Sequence, residues 1–189
     1  MNVALNLRPP SAAVRMRTAT DAIHRRLEAR LDIVERLADP ARRPDLMRRY
    51  AALHIPADEA LGPYLSTLPG LDFFGRSRAP LLARFLGDAP PPAFPLPVTR
   101  AEALGMLYVL EGSTLGGRII LRMLASRGVH DPSLAFLDPY GAQTGARWRG
   151  FLAVLARESD GDEERIAQAC DGAQSGFLHA ERLLCQGTP

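Results

Sequence analysis

The sequence predicts an all-α protein with a single domain. Apolar residues recur at three- and four-residue intervals along several stretches, which is the spacing of one buried helix face. No convincing alternation of apolar and polar residues, the pattern typical of a strand, occurs along the chain, and no internal repeat is visible. A chain of 189 residues has room for one domain with a sizeable core.

Composition narrows the class of protein. Hydrophobic residues make up 47% and charged residues 23% of the chain, which is typical of a soluble globular protein. The net charge of +2 is too small to indicate a nucleic-acid binder. All 23 basic residues are Arg, so an anionic ligand would meet a guanidinium, which can hold a carboxylate through two hydrogen bonds.

Two cysteines and the absence of targeting signals predict a cytoplasmic location. Cys170 and Cys185 fall on one predicted helix and would lie about 22 Å apart, too far to form a disulfide. The N-terminus lacks a signal-peptide pattern, and no apolar run reaches the length of a membrane span. A reducing compartment is therefore expected.

The N-terminal half contains three expected helices. The expected elements are a tail over residues 1 to 10 and helices over 11 to 37, 45 to 67 and 79 to 86. Ser11 is a candidate cap for the first helix, whose buried stripe includes Leu27 and Leu31. Pro56 and Pro63 lie inside the second and should kink it.

The C-terminal half begins with a Pro-rich connector over residues 89 to 99, expected to wrap the surface. Thr99 and Glu102 form a capping box that opens a long helix, and Gly128 is its expected stop signal. The expected remaining elements are an irregular segment over 133 to 145 and helices over 145 to 158 and 162 to 185.

The long helix contains LYVLEGSTLGGRIIL, residues 107 to 121, which is predicted to be a buried helix although it carries Gly112, Gly116 and Gly117. Each glycine inside a helix costs about 0.5–1 kcal/mol relative to Ala. Gly112 and Gly116 share one face and could let another helix pack closely. Alternatively, the bare backbone could approach a large flat ligand. No strand precedes the stretch, so a phosphate-binding loop is not expected.

His24 carries the second chemical signal. Glu28 lies one helical turn later, at the spacing that brings two helix side chains together. A histidine whose second ring nitrogen is held by an acceptor is a well-oriented metal ligand. The alternative interpretation is a partly exposed surface histidine.

In combination, these two signals resemble the haem oxygenase family. The resemblance is carried by a His followed by Glu four residues later on an early helix and by G-x-x-x-G-G about ninety residues on. LYVLEGSTLGGRII is especially similar to bacterial members, including those associated with bacteriophytochromes. RYAALHIPADEAL resembles the family's second helix, and AQSGFLHAERLL its last. The resemblance implies one multi-helical domain over residues 11 to 187, with haem between a proximal helix and a kinked distal helix.

The resemblance also implies roles for particular residues. His24 would be the proximal iron ligand, and Glu28 would orient its ring. Gly112 and Gly116, with Gly117 beside them, would let the distal backbone approach haem and leave room for dioxygen.

The haem propionates and edge have candidate partners too. Arg17 would meet one propionate, and Arg147 or Arg149 the other, with Arg149 preferred. Phe177 would pack on the haem edge, with a core aromatic as the alternative.

One position departs from the family pattern. Many members have Asp after the first distal glycine, where this chain has Ser113. Thr114, the distal backbone or His54 could organise water instead, although His54 could equally be a core or surface histidine.

The activity implied is opening of haem to biliverdin with release of carbon monoxide and ferrous iron. Dioxygen is required, with electrons from a separate reductase or ferredoxin, and a bacteriophytochrome is a possible acceptor of biliverdin. Ser113 keeps open an alternative, a haem-binding or haem-delivery protein of the same fold without efficient turnover. A third interpretation is a related helical fold that binds no haem and acts through protein partners.

Overall fold

The chain folds as a bundle of helices around a long central pair. The structure, a computed structural model, describes residues 11–88 and 90–186, and within them it contains helices and connecting segments but no strand. The predicted tail over residues 1 to 10 and the end of the predicted domain at 187 lie outside the described residues. The α-helices are α1 (Ala12–Leu31), α2 (Ile33–Ala38), α3 (Arg43–Leu65), α4 (Ala79–Leu82), α5 (Arg100–Ala125), α6 (Thr144–Ser159) and α7 (Glu163–Leu184). Short 3₁₀ helices span Phe74–Arg76, Ala83–Phe85, Pro132–Leu137 and Gly141–Gln143.

The first predicted helix, over residues 11 to 37, is wrong in its extent because the chain breaks at Asp32. Asp32 adopts the left-handed conformation (φ 47°, ψ 46°), which Asp tolerates better than most residues, and this ends α1 and starts α2. The Ser11 side chain makes no capping hydrogen bond. Instead the Ala12 N–H donates to Asp160 Oδ1 at 2.8 Å, so the start of α1 is tied to the end of α6.

The second predicted helix is confirmed as α3, which continues through both Pro56 and Pro63. Its inward face buries Tyr50, Leu53 and His54. The expected third helix becomes α4 followed directly by the 3₁₀ helix at Ala83–Phe85. These elements form one side of the fold.

Local signals define α5 at both ends. The Glu102 N–H donates to Thr99 Oγ1 at 3.2 Å, while the Glu102 carboxylate accepts from the Val98 N–H at 2.6 Å. The predicted cap is therefore confirmed, with the carboxylate reaching the residue before the expected one. Gly128 has a positive φ of 77° just after the helix ends, as its prediction as a stop signal requires.

Helices α5 and α7 form the core of the fold in close backbone contact. A side chain at Gly105 would lie 2.0 Å from the Ala169 carbonyl oxygen, and one at Gly172 would lie 2.1 Å from the Glu102 carbonyl oxygen. Helix α5 is long and apolar enough to cross a membrane, but 50% of its most apolar window is buried inside the fold, as in the core helix of a globular protein. Helix α1 also packs on α7, and a cleft separates it from α5.

Candidate active site

A cleft of about 760 Å³ lies between α1 and α5, a volume typical of small-molecule sites. Its two long walls are formed by one face of each helix. The α1 wall consists of residues three or four apart, namely Arg17, Thr20, Asp21, His24, Leu27, Glu28 and Leu31. The α5 wall runs from Tyr108 through Gly112, Ser113, Leu115, Gly116 and Ile119 to Met123.

An exposed apolar row runs along the α5 wall. Leu115, Ile119 and Met123 are 43%, 53% and 43% exposed, although each is a large apolar side chain. The prediction that residues 107 to 121 form a buried helix is therefore wrong at Leu115 and Ile119, because both face the open cleft. Contiguous exposed apolar side chains indicate a binding surface, here for a ligand with a large apolar body.

His24 lies in the middle of the α1 wall with its side chain half-exposed in the cleft. Its Nε2 is 3.3 Å from Glu28 Oε1, at the spacing expected from the sequence. The Phe177 ring packs on the imidazole with 5.3 Å between centroids, and Phe177 itself lines the cleft. With one ring nitrogen facing Glu28, the other can serve as a ligand atom.

The three glycines of α5 divide into two kinds. Gly112 and Gly116 line the cleft. A Cβ at Gly116 would meet nothing within 4 Å, and one at Gly112 would be in ordinary contact with the Trp148 ring at 3.8 Å. Gly117 instead faces the 3₁₀ helix at Pro132–Leu137, where a Cβ would lie 1.8 Å from the Leu137 carbonyl oxygen. Gly117 is thus a packing residue rather than part of the cleft wall.

A polar cluster of His54, Arg78 and Ser113, the distal cluster, lies at the α5 side of the cleft. Arg78 is 3% exposed, and its Nη2 donates to Ser113 Oγ at 2.9 Å and to the Leu110 carbonyl at 2.6 Å. Its Nη1 lies 3.3 Å from His54 Nε2. A guanidinium only donates hydrogen bonds, so His54 Nε2 must be the acceptor.

His54 is neutral in this cluster. Burial holds its pKa well below the usual value, and the positive charge of Arg78 acts in the same direction. Tyr50 stacks on the His54 ring at 6.2 Å between centroids. Burial also lowers the pKa of Arg78, whose side chain nevertheless remains the strongest donor of the cluster.

Arg17 and Tyr108 both line the cleft, one on each wall. Arg17 is exposed, so it can bind an anionic group at the solvent-facing edge of the cleft. Burial raises the pKa of the Tyr108 hydroxyl, while the charge of Arg17 lowers it. The Trp148 ring packs against Tyr108 at 5.4 Å between centroids.

Besides Gly117, three sequence candidates do not line the cleft. Arg149 is exposed on α6, and Arg147 pairs with Asp72 at 2.6 Å while lying over the Tyr140 ring. Thr114 is buried and donates its hydroxyl proton to the Glu111 carbonyl at 2.7 Å, within its own helix. The cleft is instead lined by Tyr108 and Arg78.

Sequence reasoning missed Tyr108 and Arg78 for different reasons. Tyr108 lies four residues before Gly112, at the same spacing that joins Gly112 to Gly116, so helical periodicity could have found it. Arg78 lies in a short irregular segment, and its contact with Ser113 joins residues 35 apart in sequence. No local pattern indicates that contact.

The residues present fit haem. His24 offers one ring nitrogen for an iron whose other ligands come from a macrocycle. The apolar α5 row suits the porphyrin face, the glycines allow close approach, and Arg17 with Tyr108 suits carboxylates at the solvent edge.

Two known proteins similar to this chain are haem oxygenases, in agreement with a cleft that fits haem. No model of a known protein family matches the chain. A curated protein named "Heme oxygenase" from Xanthomonas campestris pv. campestris is 40% identical, over 74% of this chain and 86% of that protein. The crystal structure of the NO- and CO-bound heme oxygenase from Neisseria meningitidis has a similar fold, with a TM-score of 0.72, 19% identity and coverage of 92% of this chain and 90% of that one. The chain belongs to the haem oxygenase family.

Proposed function

We propose that the protein opens haem to biliverdin, releasing carbon monoxide and ferrous iron. The observation that carries the proposal is the cleft between α1 and α5, with His24 on one wall and Gly112 and Gly116 on the other. Family membership supports the same activity. When bound, haem supplies both the iron at which dioxygen is reduced and the ring carbon that is oxidised.

His24 is proposed as the iron ligand. Glu28 would orient the imidazole through the ring nitrogen that faces it, and the Phe177 ring would restrict its rotation. Arg17 and Tyr108 would receive the propionates, which sets how the macrocycle is rotated in the cleft.

The distal cluster is proposed to hold protons at the α5 wall. Leu110 O accepts from both Ser113 Oγ at 2.7 Å and Arg78 at 2.6 Å. Because Arg78 still satisfies that carbonyl, Ser113 can turn its proton into the cleft without leaving a buried acceptor unpaired. Arg78 places a charged hydrogen-bond donor beside Ser113, the position where many family members have Asp. The haem-delivery alternative is therefore not favoured.

Electrons are proposed to come from a ferredoxin or an NAD(P)H-dependent reductase. A bacteriophytochrome is the proposed acceptor of biliverdin, and the cytoplasm is the proposed location.

The experiment is aerobic turnover of the haem complex with a reductase and catalase present. Catalase removes free peroxide, which can attack haem without an enzyme. We expect the haem absorption to be replaced by that of biliverdin, with carbon monoxide released in equal amount. A stable haem spectrum under these conditions would contradict the proposed activity and leave a haem carrier.

A further inference from the structure

Glu111 is a buried carboxylate that does not line the cleft, although it immediately precedes Gly112. Its side chain is 3% exposed. One oxygen, Oε1, accepts from the Tyr140 hydroxyl at 2.7 Å, and the other, Oε2, accepts from Arg76 Nη1. Both oxygens are therefore occupied, and the charge is paired.

Arg76 extends this pair to two other parts of the fold. Its side chain is also 3% exposed, and its Nε donates to the Leu71 carbonyl at 2.6 Å. Its Nη2 reaches the Arg147 carbonyl on α6 at 3.2 Å. The Arg76–Glu111 pair thus ties the glycine stretch of α5 both to α6 and to the segment before α4.

Arg78 lies two residues after Arg76, but it is charged without a carboxylate in contact among the described residues. Its partners are His54, Ser113 and the Leu110 carbonyl. Burial lowers the pKa of Arg78, and the charge of Glu111 is the largest influence that opposes this. A buried guanidinium is costly unless a negative charge compensates it.

We propose that Glu111 is the positioning residue of the distal cluster, since its contact with Arg76 anchors the segment before α4 to α5 and so directs Arg78, two residues later, at Ser113. The part of the distal cluster in turnover rests on the proposed function. The anchoring of Arg76 and Arg78 through Glu111 does not. Glu111 acts through the two arginines and does not touch the ligand.

The test uses Glu111→Gln, which keeps the shape of the side chain and removes its charge. Glu181→Gln is the matched control, because Glu181 is a second nearly buried carboxylate that holds two arginines, Arg26 and Arg30, far along α7. The first readout is the side-chain Nε–H NMR signals of Arg76 and Arg78 in the haem-free protein. We expect Glu111→Gln to shift both signals and increase their exchange with water, and Glu181→Gln to leave both unchanged.

A double variant, Glu111→Gln with Arg76→Met, removes both members of the contact pair. Removing both members of a buried ion pair is often tolerated, so this variant keeps the test open if the single variant does not fold. We expect the Arg78 signal to be altered in it as well. An unchanged Arg78 signal would overturn the proposal, whatever the outcome for haem.

The second readout is kinetic. We expect Glu111→Gln to lower kcat about tenfold or more, with the affinity for haem nearly unchanged. Equal losses in kcat and in haem affinity would indicate a merely structural role and overturn the positioning role. Absence of turnover in the wild-type protein would contradict the proposed function. The NMR result would still decide whether Glu111 positions Arg76 and Arg78.

Discussion

Gly116 and Gly117 are adjacent in the chain, yet the missing side chain has a different consequence at each. Gly116 borders the open cleft, whereas Gly117 lies against the Leu137 backbone. A substitution at Gly116 therefore tests the space that a ligand needs, and a substitution at Gly117 tests the space that packing needs.

We expect Gly116→Leu to give a haem-free protein at least as stable as the wild type. Helix propensity favours the change by about 1 kcal/mol, but the new side chain occupies the cleft, so haem affinity and turnover should fall. Gly117→Ala should lower the free energy of unfolding by about 1–3 kcal/mol, because the backbone must move. Urea unfolding and haem titration of both variants test this, and unchanged haem affinity in Gly116→Leu would remove the distal assignment of α5.

Arg78 tests the distal cluster at the same scale. We expect Arg78→Met to bind haem but to turn it over roughly a hundredfold more slowly, the size of effect seen when one preorganised donor is removed. Arg149→Met is the control, since Arg149 is exposed outside the cleft, and its rate should match the wild type. Equal rates in the two variants would exclude Arg78 from proton delivery.

At the scale of elements, α1 is held in place by a charge clamp. Arg26 binds both carboxylate oxygens of Glu181 at 2.7 and 2.6 Å, and Arg30 adds a contact at 3.0 Å. The hydrogen bond from Arg26, followed by that from Arg30, lowers the pKa of Glu181 to about 2 from 4.5. This clamp fixes the helix that carries His24 onto α7.

The lowered pKa makes the clamp dependent on pH. A carboxylate whose pKa is depressed by folding stabilises the folded state above its unfolded pKa, and that contribution is lost as pH falls from about 4.5 to about 2. We expect Glu181→Gln to be less stable than the wild type at pH 7 and to lose less stability over this window. Unfolding curves at several pH values measure the free energy of unfolding of both proteins. If this free energy depends on pH in the same way in both, the clamp is contradicted.

Elements with local end signals could be predicted from the sequence, and those that depend on distant contacts could not. Thr99 and Gly128 mark α5 within a few residues because capping acts locally. No glycine or proline lies at the break at Asp32, so the sequence predicted one helix where the structure has two.

The same distinction holds for the site. His24, Glu28, Gly112 and Gly116 follow from helical spacing and a family pattern, and the structure places them on the two walls of one cleft. Arg78 reaches the cleft only because a non-helical segment packs against α5, which no periodicity describes.

At the scale of the whole molecule, a ligand bound between α1 and α5 should stabilise the fold. Both walls pack on α7 but are separated by the cleft. At a haem concentration 100 times Kd, binding adds about 2.7 kcal/mol. For a domain of this size we expect the unfolding midpoint to rise by about 5–10 °C. A thermal scan with and without haem measures the change, and an unchanged midpoint would contradict binding to the folded cleft.

The most direct measurement of whether α1 holds the iron is the absorption spectrum of the haem complex in three histidine variants. We expect His24→Ala to bind haem more weakly, to lose the histidine-ligated spectrum and to regain part of it when imidazole is added. His130→Ala, changed at an exposed position outside the cleft, should keep the wild-type spectrum, and His54→Ala, changed in the distal cluster, should keep the histidine-ligated form. A wild-type spectrum in His24→Ala, with the change appearing in His54→Ala instead, would place the iron ligand on α3 and contradict the assignment of α1 as the proximal helix.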